Sequence, residues 1–181
     1  SWRLGYAPNE WRPLYNYLQS LGYDKDTLIK AGLAKVNEEN ASQGPYDVFR
    51  HRVTFPLFDV NGRVIAFSGR ALDKENAPKY LNSPTTPVFS KTESLYGLDR
   101  AKGSIRKKDY SILVEGQLDL LLSHQAGVDN AVAASGTAFT REHLERLKRL
   151  SNRIILAFDG DLAGEKAAER ASEQALSMGL E

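Results

Sequence analysis

The sequence contains no cysteine, which excludes a disulfide framework and any zinc site built on cysteine thiolates within its 181 residues. Its three histidines show no metal-ligand spacing. No apolar run approaches the roughly 18 residues of a membrane span, and no signal-peptide pattern stands at the start. A Gly-x-x-x-x-Gly-Lys-Ser/Thr phosphate loop is also missing. These absences favour a cytoplasmic protein without a membrane segment and without an ATP-driven motor in this stretch.

Charge is unevenly distributed along the chain, although the net charge is only +1. Residues 50–110 carry 12 Lys/Arg and 6 Asp/Glu, whereas residues 111–181 carry 7 and 11. A basic middle followed by an acidic last third suits a protein that presents a polyanion to a metal site. Ordinary solvated surface is the alternative, and charge alone does not separate the two.

The pattern in the first half of the sequence predicts both helices and strands. Residues 1–40 are predicted to be helical. The predicted elements are helices over 13–21 and 26–32, and strands over 53–59 and 63–67. The Asn61-Gly62 pair between the two strands is a strong hairpin signal. Residues 68–92 are rich in Gly, Pro, Ser and Asn, so they are expected to be irregular.

The second half alternates strands and helices in a regular order. The predicted strands are 110–114, 130–134 and 153–158, and the predicted helices are 117–125, 141–150 and 163–178. This alternation implies a parallel sheet with helices on its faces. Thr140 is expected to cap the second of these helices. The predicted fold class is therefore α/β, with an α+β subdomain over 1–109 and a parallel-sheet domain over 110–181.

Acidic residues follow two of the predicted strands, as Glu115-Gly116 and as Asp159-Gly160-Asp161. Open α/β sheets bind ligands at the carboxyl ends of their strands. Clustered carboxylates repel one another unless a cation lies among them, and hard oxygen ligands favour Mg²⁺ or Mn²⁺. The sequence therefore predicts metal-assisted phosphate chemistry, with Asp119 one helical turn after Glu115. The alternatives are a strand-end charge for Glu115 and a helix N-cap for the Asp pair.

The acidic motifs and the segments upstream of them resemble known families. Glu115-Gly116 and Asp159-Gly160-Asp161, with the strands and helices between them, resemble the Toprim domain of primases, topoisomerases and some nucleases. The upstream segments resemble the bacterial primase family, among them 49–57, 62–70, Pro78-Lys79-Tyr80-Leu81-Asn82-Ser83-Pro84, Phe89-Ser90-Lys91 and Leu95-Tyr96-Gly97-Leu98.

The resemblance implies a fragment of a DNA-dependent RNA polymerase that makes short RNA primers on single-stranded DNA for replication. It implies that Glu115, Asp159 and Asp161 hold the divalent metal for nucleotidyl transfer, with Asp119 supporting them. The implied nucleotide- and DNA-binding residues are Arg52, Arg70, Lys79, Asn82 and Lys91. The implied partners are nucleoside triphosphates, the template, the RNA–DNA hybrid product and the replicative helicase, at the nucleoid in the bacterial cytoplasm. Gly136-Thr137 would lie near the same sheet edge.

Some parts of the family are not found in this sequence. The family carries an N-terminal zinc-binding domain, a C-terminal domain that contacts the helicase, and a second Asp-x-Asp motif on a later strand. We therefore expect the chain to end within the catalytic domain, with an incomplete metal site and an exposed sheet edge prone to self-association. Primer synthesis by these residues alone is not expected.

Two other functions stay open on the sequence alone. A Toprim protein could bind or cut nucleic acid without making primers, and Asp159→Ala in the longer protein would separate this case. A phosphatase could use Asp159 as its nucleophile, although in such folds the motif normally follows the first strand. Trp2 and Trp11 are interpreted as helix-packing aromatics rather than as platforms for bases.

Overall fold

The computed structural model describes residues 1–73, 78–134 and 138–181, with only the backbone at Ala41. The chain divides into two compact units, of which the first holds residues 1–57 and 64–90, and the second holds residues 58–63 and 91–181. The predicted domain division at residue 109 concerns family domains and stays a prediction. Among the described helices, none combines the length and apolarity needed to cross a membrane.

The first unit is built around a four-stranded sheet. Its elements in chain order are β1 (Gly5–Ala7), α1 (Pro13–Ser20), α2 (Lys25–Lys30), β2 (Ala34–Lys35), a 3₁₀ segment (Glu38–Gln43), β3 (Tyr46–Asp47), β4 (Arg52–Phe58), β5 (Val64–Ala71) and β6 (Tyr80–Asn82). The large sheet has the order β1-β4-β5-β6, and β2 pairs with β3 in a separate ribbon. Helices α1 and α2 confirm the two predicted helices, and each end lies within two residues of its predicted position.

Helix α1 begins where a distant carboxylate caps it. Asp47, on β3, accepts hydrogen bonds from the N–H groups of Leu14 and Tyr15 at 2.9 and 2.8 Å. Pro13 stands at the first position of the helix, where no N–H is needed. Because a helix N-terminus leaves its first N–H groups without intrahelical partners, Asp47 fixes the helix to the ribbon.

The second unit contains the predicted parallel sheet. Its elements are α3 (Leu98–Lys108), β7 (Ser111–Val114), α4 (Gln117–Gln125), β8 (Ala131–Ala133), α5 (Arg141–Lys148), β9 (Ile154–Ala157) and α6 (Leu162–Ser177). The strand order is β8-β7-β9, with both pairings parallel. The α/β fold class is therefore confirmed. Thr140 caps α5 as predicted, accepting from the His143 N–H at 3.2 Å.

The core of the second unit lies between the sheet and helices α3, α5 and α6. Leu113, Val132, Leu144 and Leu147 are fully buried there, and Ala171 on α6 packs against them. Short apolar strands followed by amphipathic helices bury one continuous layer of side chains, which is the usual stabilising arrangement in α/β units. This packing sets the positions of the strand ends.

Several short elements differ from the prediction. Residues 1–40 are not all helical, because they also contain strands β1 and β2. Each of these strands spans only two or three residues, which is too few to show an alternating pattern in the sequence. Residues 68–92 are not all irregular, because β5 continues to Ala71 and β6 pairs with it. Helix α3 was not predicted, although Leu98, Ala101 and Ile105 form its buried stripe. Its other positions are mostly basic or polar, which hides the helical period.

Candidate functional site

Two acidic residues meet at the carboxyl edge of the parallel sheet. Glu115 directly follows β7, and Asp159 follows β9, whose last residue Ala157 lies opposite Val114. The backbone N–H of Asp159 donates to Glu115 Oε1 at 3.0 Å. This hydrogen bond links the ends of the two strands, and it brings both residues to the edge where α/β sheets bind ligands.

The other two acidic residues accept hydrogen bonds from backbone N–H groups at the starts of α6 and α4. Asp161 is the N-cap of α6, and its Oδ1 accepts from the N–H groups of Ala163 and Gly164 at 3.0 and 2.8 Å. Asp119 turns back in the first turn of α4 and accepts from the N–H of Gly116 at 3.1 Å. The N-cap interpretation of Asp161 is therefore correct, and Asp119 orders the turn that carries Glu115.

Gly164 is a site residue that the sequence analysis missed. A β-carbon at this position would lie 2.1 Å from the carbonyl oxygen of Asp159 and 2.9 Å from Glu115 Oε1. Only a glycine lets the first turn of α6 approach the two acidic residues this closely. The sequence did contain a signal, namely a glycine in the first turn of a predicted helix, three residues after Asp161. Glycine weakens a helix, so its presence there indicates that another part of the chain approaches closely.

The carboxylates fit a divalent cation by chemistry but do not form a closed cluster. Within the ranges described above, no three His, Asp or Glu side chains converge closely enough to hold a metal ion. Glu115 Oε1 and Asp161 Oδ1 are engaged by backbone N–H groups. Mg²⁺ commonly uses only one or two carboxylates and completes its shell with water and phosphate oxygens, so the donor set suits such a loosely held ion. The predicted contribution of Gly136-Thr137 lies outside the described residues.

An open cavity of about 450 Å³ adjoins Glu115. Its apolar wall is formed by Phe139 and Phe158, whose rings stack with centroids 5.7 Å apart. Lys166 and Arg170 of α6 also line it. The cavity gives a ligand at the acidic edge both apolar surface and positive charge.

Arg52 has a different role from the predicted contact with a polyanion. Its side chain is buried, with 5% of the residue exposed. Its Nη1 donates to the carbonyl oxygens of Gly69 and Pro78 at 3.1 and 2.9 Å, and that of Lys79 lies at 3.5 Å. Burial lowers the pKa of its guanidinium from the ordinary range, with neighbouring Arg50 acting in the same direction. Arg52 therefore holds the backbone that carries Lys79, and it does not itself face solvent.

The remaining predicted basic and polar residues are distributed over both units. Lys79 is exposed at the start of β6, and its neighbour Tyr80 lies opposite Arg70 in the β5–β6 pairing. Asn82 lies opposite Ser68 in the same pairing. The guanidinium of Arg70 is 5.9 Å from the Tyr80 ring centroid. Strand alternation places Arg70, Tyr80 and Asn82 on one face of this hairpin. Lys91 belongs to the second unit, in a turn that precedes α3.

An aromatic and cationic cluster in the first unit corrects the interpretation of Trp11. This residue precedes α1 and is 63% exposed, so it is not a helix-packing side chain. The guanidinium of Arg50 lies 4.2 Å from its ring centroid, and Tyr46 meets it edge-on at 5.4 Å. The three residues line an open cavity of about 610 Å³. Exposed Trp with Arg is the combination on which nucleobases stack.

Comparison with protein families decides between the possible assignments. A model described as "DNA primase catalytic core, N-terminal domain" matches residues 1–102, more than half of the chain. The chain belongs to the DNA primase family. A second model, the Toprim domain, matches residues 109–181, which include all four acidic residues described above.

Individual primases resemble the chain over almost its whole length. The DNA primase of Staphylococcus aureus is 44% identical over 177 residues, which are 98% of this chain and 29% of that protein. A crystal structure of a primase domain from Pseudomonas aeruginosa superimposes with a TM-score of 0.86 at 47% identity, covering 96% of this chain and 53% of that one. A DnaG primase catalytic domain bound to single-stranded DNA gives 0.82 at 40%, covering 97% and 53%. The chain thus spans less than a third of the curated relative and about half of each solved chain.

Proposed function

We propose that this chain forms part of the RNA polymerase core of a DNA primase, which synthesises RNA primers on single-stranded DNA from nucleoside triphosphates. The observation that carries the proposal is the hydrogen bond between the Asp159 N–H and Glu115, which holds both acidic residues at one sheet edge. Metal-dependent phosphoryl chemistry needs carboxylates held together in this way. The family membership adds the substrate class.

Glu115, Asp159 and Asp161 are the residues that would hold a divalent cation, Mg²⁺ or Mn²⁺. Such an ion, when bound, neutralises phosphate charge and polarises the phosphoryl group that is transferred. Asp159 is bonded to Glu115 through its backbone N–H, and its carboxylate is the group that would bind the ion. Asp119 and Gly164 position these residues. Asp119 orders the turn that carries Glu115, and Gly164 lets the first turn of α6 pack closely against Asp159 and Glu115.

Each unit has residues of its own that would contact a polyanion. In the first unit Lys79, Arg70 and Asn82 would contact phosphate or sugar oxygens, and Arg52 keeps Lys79 in place. In the second unit Lys91 would add positive charge. Trp11 and Arg50 offer a stacking surface for unpaired bases. A relative bound to single-stranded DNA supports a template of that kind.

The broader assignment follows from the family rather than from these residues. We place the protein in the bacterial cytoplasm, at the replication machinery of the nucleoid, with the RNA–DNA hybrid as product. The replicative helicase would be reached through a further domain of the family. The proposed domains are residues 1–109, the basic subdomain, and residues 110–181, the Toprim part.

The decisive test is Asp159→Asn in a primase of full family length that carries this chain. We expect primer synthesis to fall by about 100-fold or more, because losing one metal-ligand charge removes several kcal/mol of transition-state stabilisation. Affinity for a single-stranded oligonucleotide should stay within about twofold. Asp129→Asn is the matched control, since Asp129 pairs on the surface with Lys108.

Three outcomes are distinguishable. Unchanged primer synthesis in Asp159→Asn would falsify the catalytic role of the acidic edge. DNA binding without primer synthesis in the unsubstituted protein would favour a Toprim binding module. An equal loss in Asp129→Asn would mean that the assay reports general damage to the fold, and Asp159 would then have no assigned part in the reaction.

A further inference from the structure

Two contacts connect α5 and its N-cap residue Thr140 with the turn of residues 91–94, named here the Lys91 turn. The Thr140 hydroxyl donates to the carbonyl oxygen of Thr92 at 2.6 Å. Arg146 Nη2 donates to Glu93 Oε2 at 2.8 Å. His143 is tied to Thr140 twice, because its Nδ1 accepts from the Thr140 N–H and its own N–H donates to the Thr140 hydroxyl, both at 3.2 Å. Thus α5 and its N-cap residue contact this turn at Thr92 and Glu93.

His143 is the buried member of this set, with none of its surface exposed. Its Nδ1 accepts a hydrogen bond from the Thr140 N–H at 3.2 Å, so the neutral ring carries its proton on Nε2. That Nε2 is enclosed and has no hydrogen bond of standard geometry among the described residues. His143 is therefore held through its two hydrogen bonds with Thr140, whose hydroxyl in turn donates to the carbonyl oxygen of Thr92.

The other end of the Lys91 turn is also fixed within this unit. Tyr96 pairs with Ala133 at the outer edge of β8, through hydrogen bonds of 2.8 Å and 3.1 Å. Leu95 is buried beside it. The turn is therefore held between β8 and α5, and Lys91 is half-buried within it rather than free on a long loop.

We propose that His143 is a positioning residue for Lys91, which through α5 fixes the turn that presents the Lys91 ammonium to a polyanion. This inference rests on the proposed function, because it takes Lys91 to contact nucleic acid. A lysine on a mobile turn loses conformational entropy when it binds its ligand, which weakens binding. A lysine on a fixed turn has already lost that entropy during folding. Loss of His143 should therefore weaken the Lys91 contact without removing any charge.

The test measures how affinity for a fluorescein-labelled single-stranded oligonucleotide depends on salt. Lys91→Ala should weaken binding and reduce the slope of log K against log[salt] by about 0.7, the value for one phosphate contact on a single strand. His143→Leu should reproduce most of this loss, on the order of 3- to 10-fold in affinity, with the reduced slope. In the double variant the losses should not add, because both changes remove the same contact.

Two further variants separate positioning from a loss of stability. His143→Gln can retain both an acceptor and a donor at this position, so it should restore the wild-type salt slope. Leu144→Val is a core change in the same helix, next to His143, and it should lower the melting temperature without altering the slope. If His143→Leu does not fold, Thr140→Val tests the same link by removing the hydroxyl bond to Thr92.

The outcomes distinguish this inference from the proposed function. If Lys91→Ala weakens binding but His143→Leu keeps the wild-type slope, or if the two losses add fully, the positioning role is wrong while the proposed function stands. A slope that changes equally in Leu144→Val also overturns it. If Lys91→Ala has no effect, Lys91 contacts no polyanion and this inference falls with it, while the Asp159→Asn assay still judges the enzyme activity independently.

Discussion

Gly164 allows the acidic edge to be tested with two substitutions of the same chemical kind. In Gly164→Ala, the new methyl group would stand 2.1 Å from the Asp159 carbonyl oxygen. Reaching even 3.0 Å requires α6 and that carbonyl to separate by about 0.9 Å. The matched control is Gly103→Ala, in the exposed middle of α3, where no heavy atom lies within 4 Å of the new β-carbon.

The expected effects have opposite signs. Glycine to alanine inside a helix stabilises by about 0.5–1 kcal/mol, and Gly103→Ala should show that gain. Gly164→Ala receives a similar gain but suffers an overpacking cost of about 1–3 kcal/mol against backbone. Its net effect should be a loss of about 1 kcal/mol, so the two variants should differ by about 2 kcal/mol. At this chain length that is a difference of roughly 4–8 °C in melting temperature.

Thermal unfolding followed by circular dichroism, with urea titration as a second measure, is sufficient for the comparison. The reasoning is refuted if Gly164→Ala melts at or above the temperature of Gly103→Ala. A stabilised Gly164→Ala would mean that α6 moves away from Glu115 and Asp159 at no cost. The acidic edge would then not be the closely packed site described above.

Three further predictions follow from other contacts. Burial lowers the pKa of His143 below its ordinary 6.5, and Glu142 and Arg146 are the charged groups near it, so the unfolded chain takes up this proton first as the pH falls. The free energy of unfolding should therefore be at its full value above about pH 6.5 and should decrease as the pH drops through that value. Urea midpoints measured across this range should show the decrease in the unsubstituted protein and not in His143→Gln. Arg52→Lys should lower the free energy of unfolding by about 1–3 kcal/mol, because the shorter lysine side chain does not bring its ammonium to the position of Arg52 Nη1. Arg63→Lys, on an exposed side chain, should be nearly neutral in the same titration. At the outer edge of β9, the backbone of Glu181 bonds to Ile154 and Asn152 at 2.8 and 2.7 Å, and no further strand pairs there among the described residues. Since Ile155 is 49% exposed, sedimentation should detect self-association that Ile155→Lys reduces, and a monomer at all concentrations would contradict this.

Longer elements with a clear hydrophobic period were predictable from the sequence, and short ones were not. The strands before Glu115 and Asp159 are continuous apolar runs, which favours burial on both faces. Strand β7 is buried in this way, whereas β9 is not, since Ile155 is 49% exposed. Strands β1, β2 and β3 span two or three residues and exist only through pairing with distant segments. Helix α3 was missed for another reason, since its buried stripe is narrow and its many cationic residues resemble a solvated loop.

The sequence by itself determined the fold class, the order of strands and helices in the second half, and the placement of Glu115 and Asp159 after strands of the parallel sheet. These follow from local patterns and from the rule that parallel strands end at one edge. Only the tertiary structure decided which of these residues touch. It buries Arg52 and exposes Trp11, it makes Asp161 a cap, and it brings α6 so close to Asp159 that only glycine fits at position 164. These burials and close approaches depend on contacts between residues far apart in sequence, so they cannot be predicted from local sequence patterns.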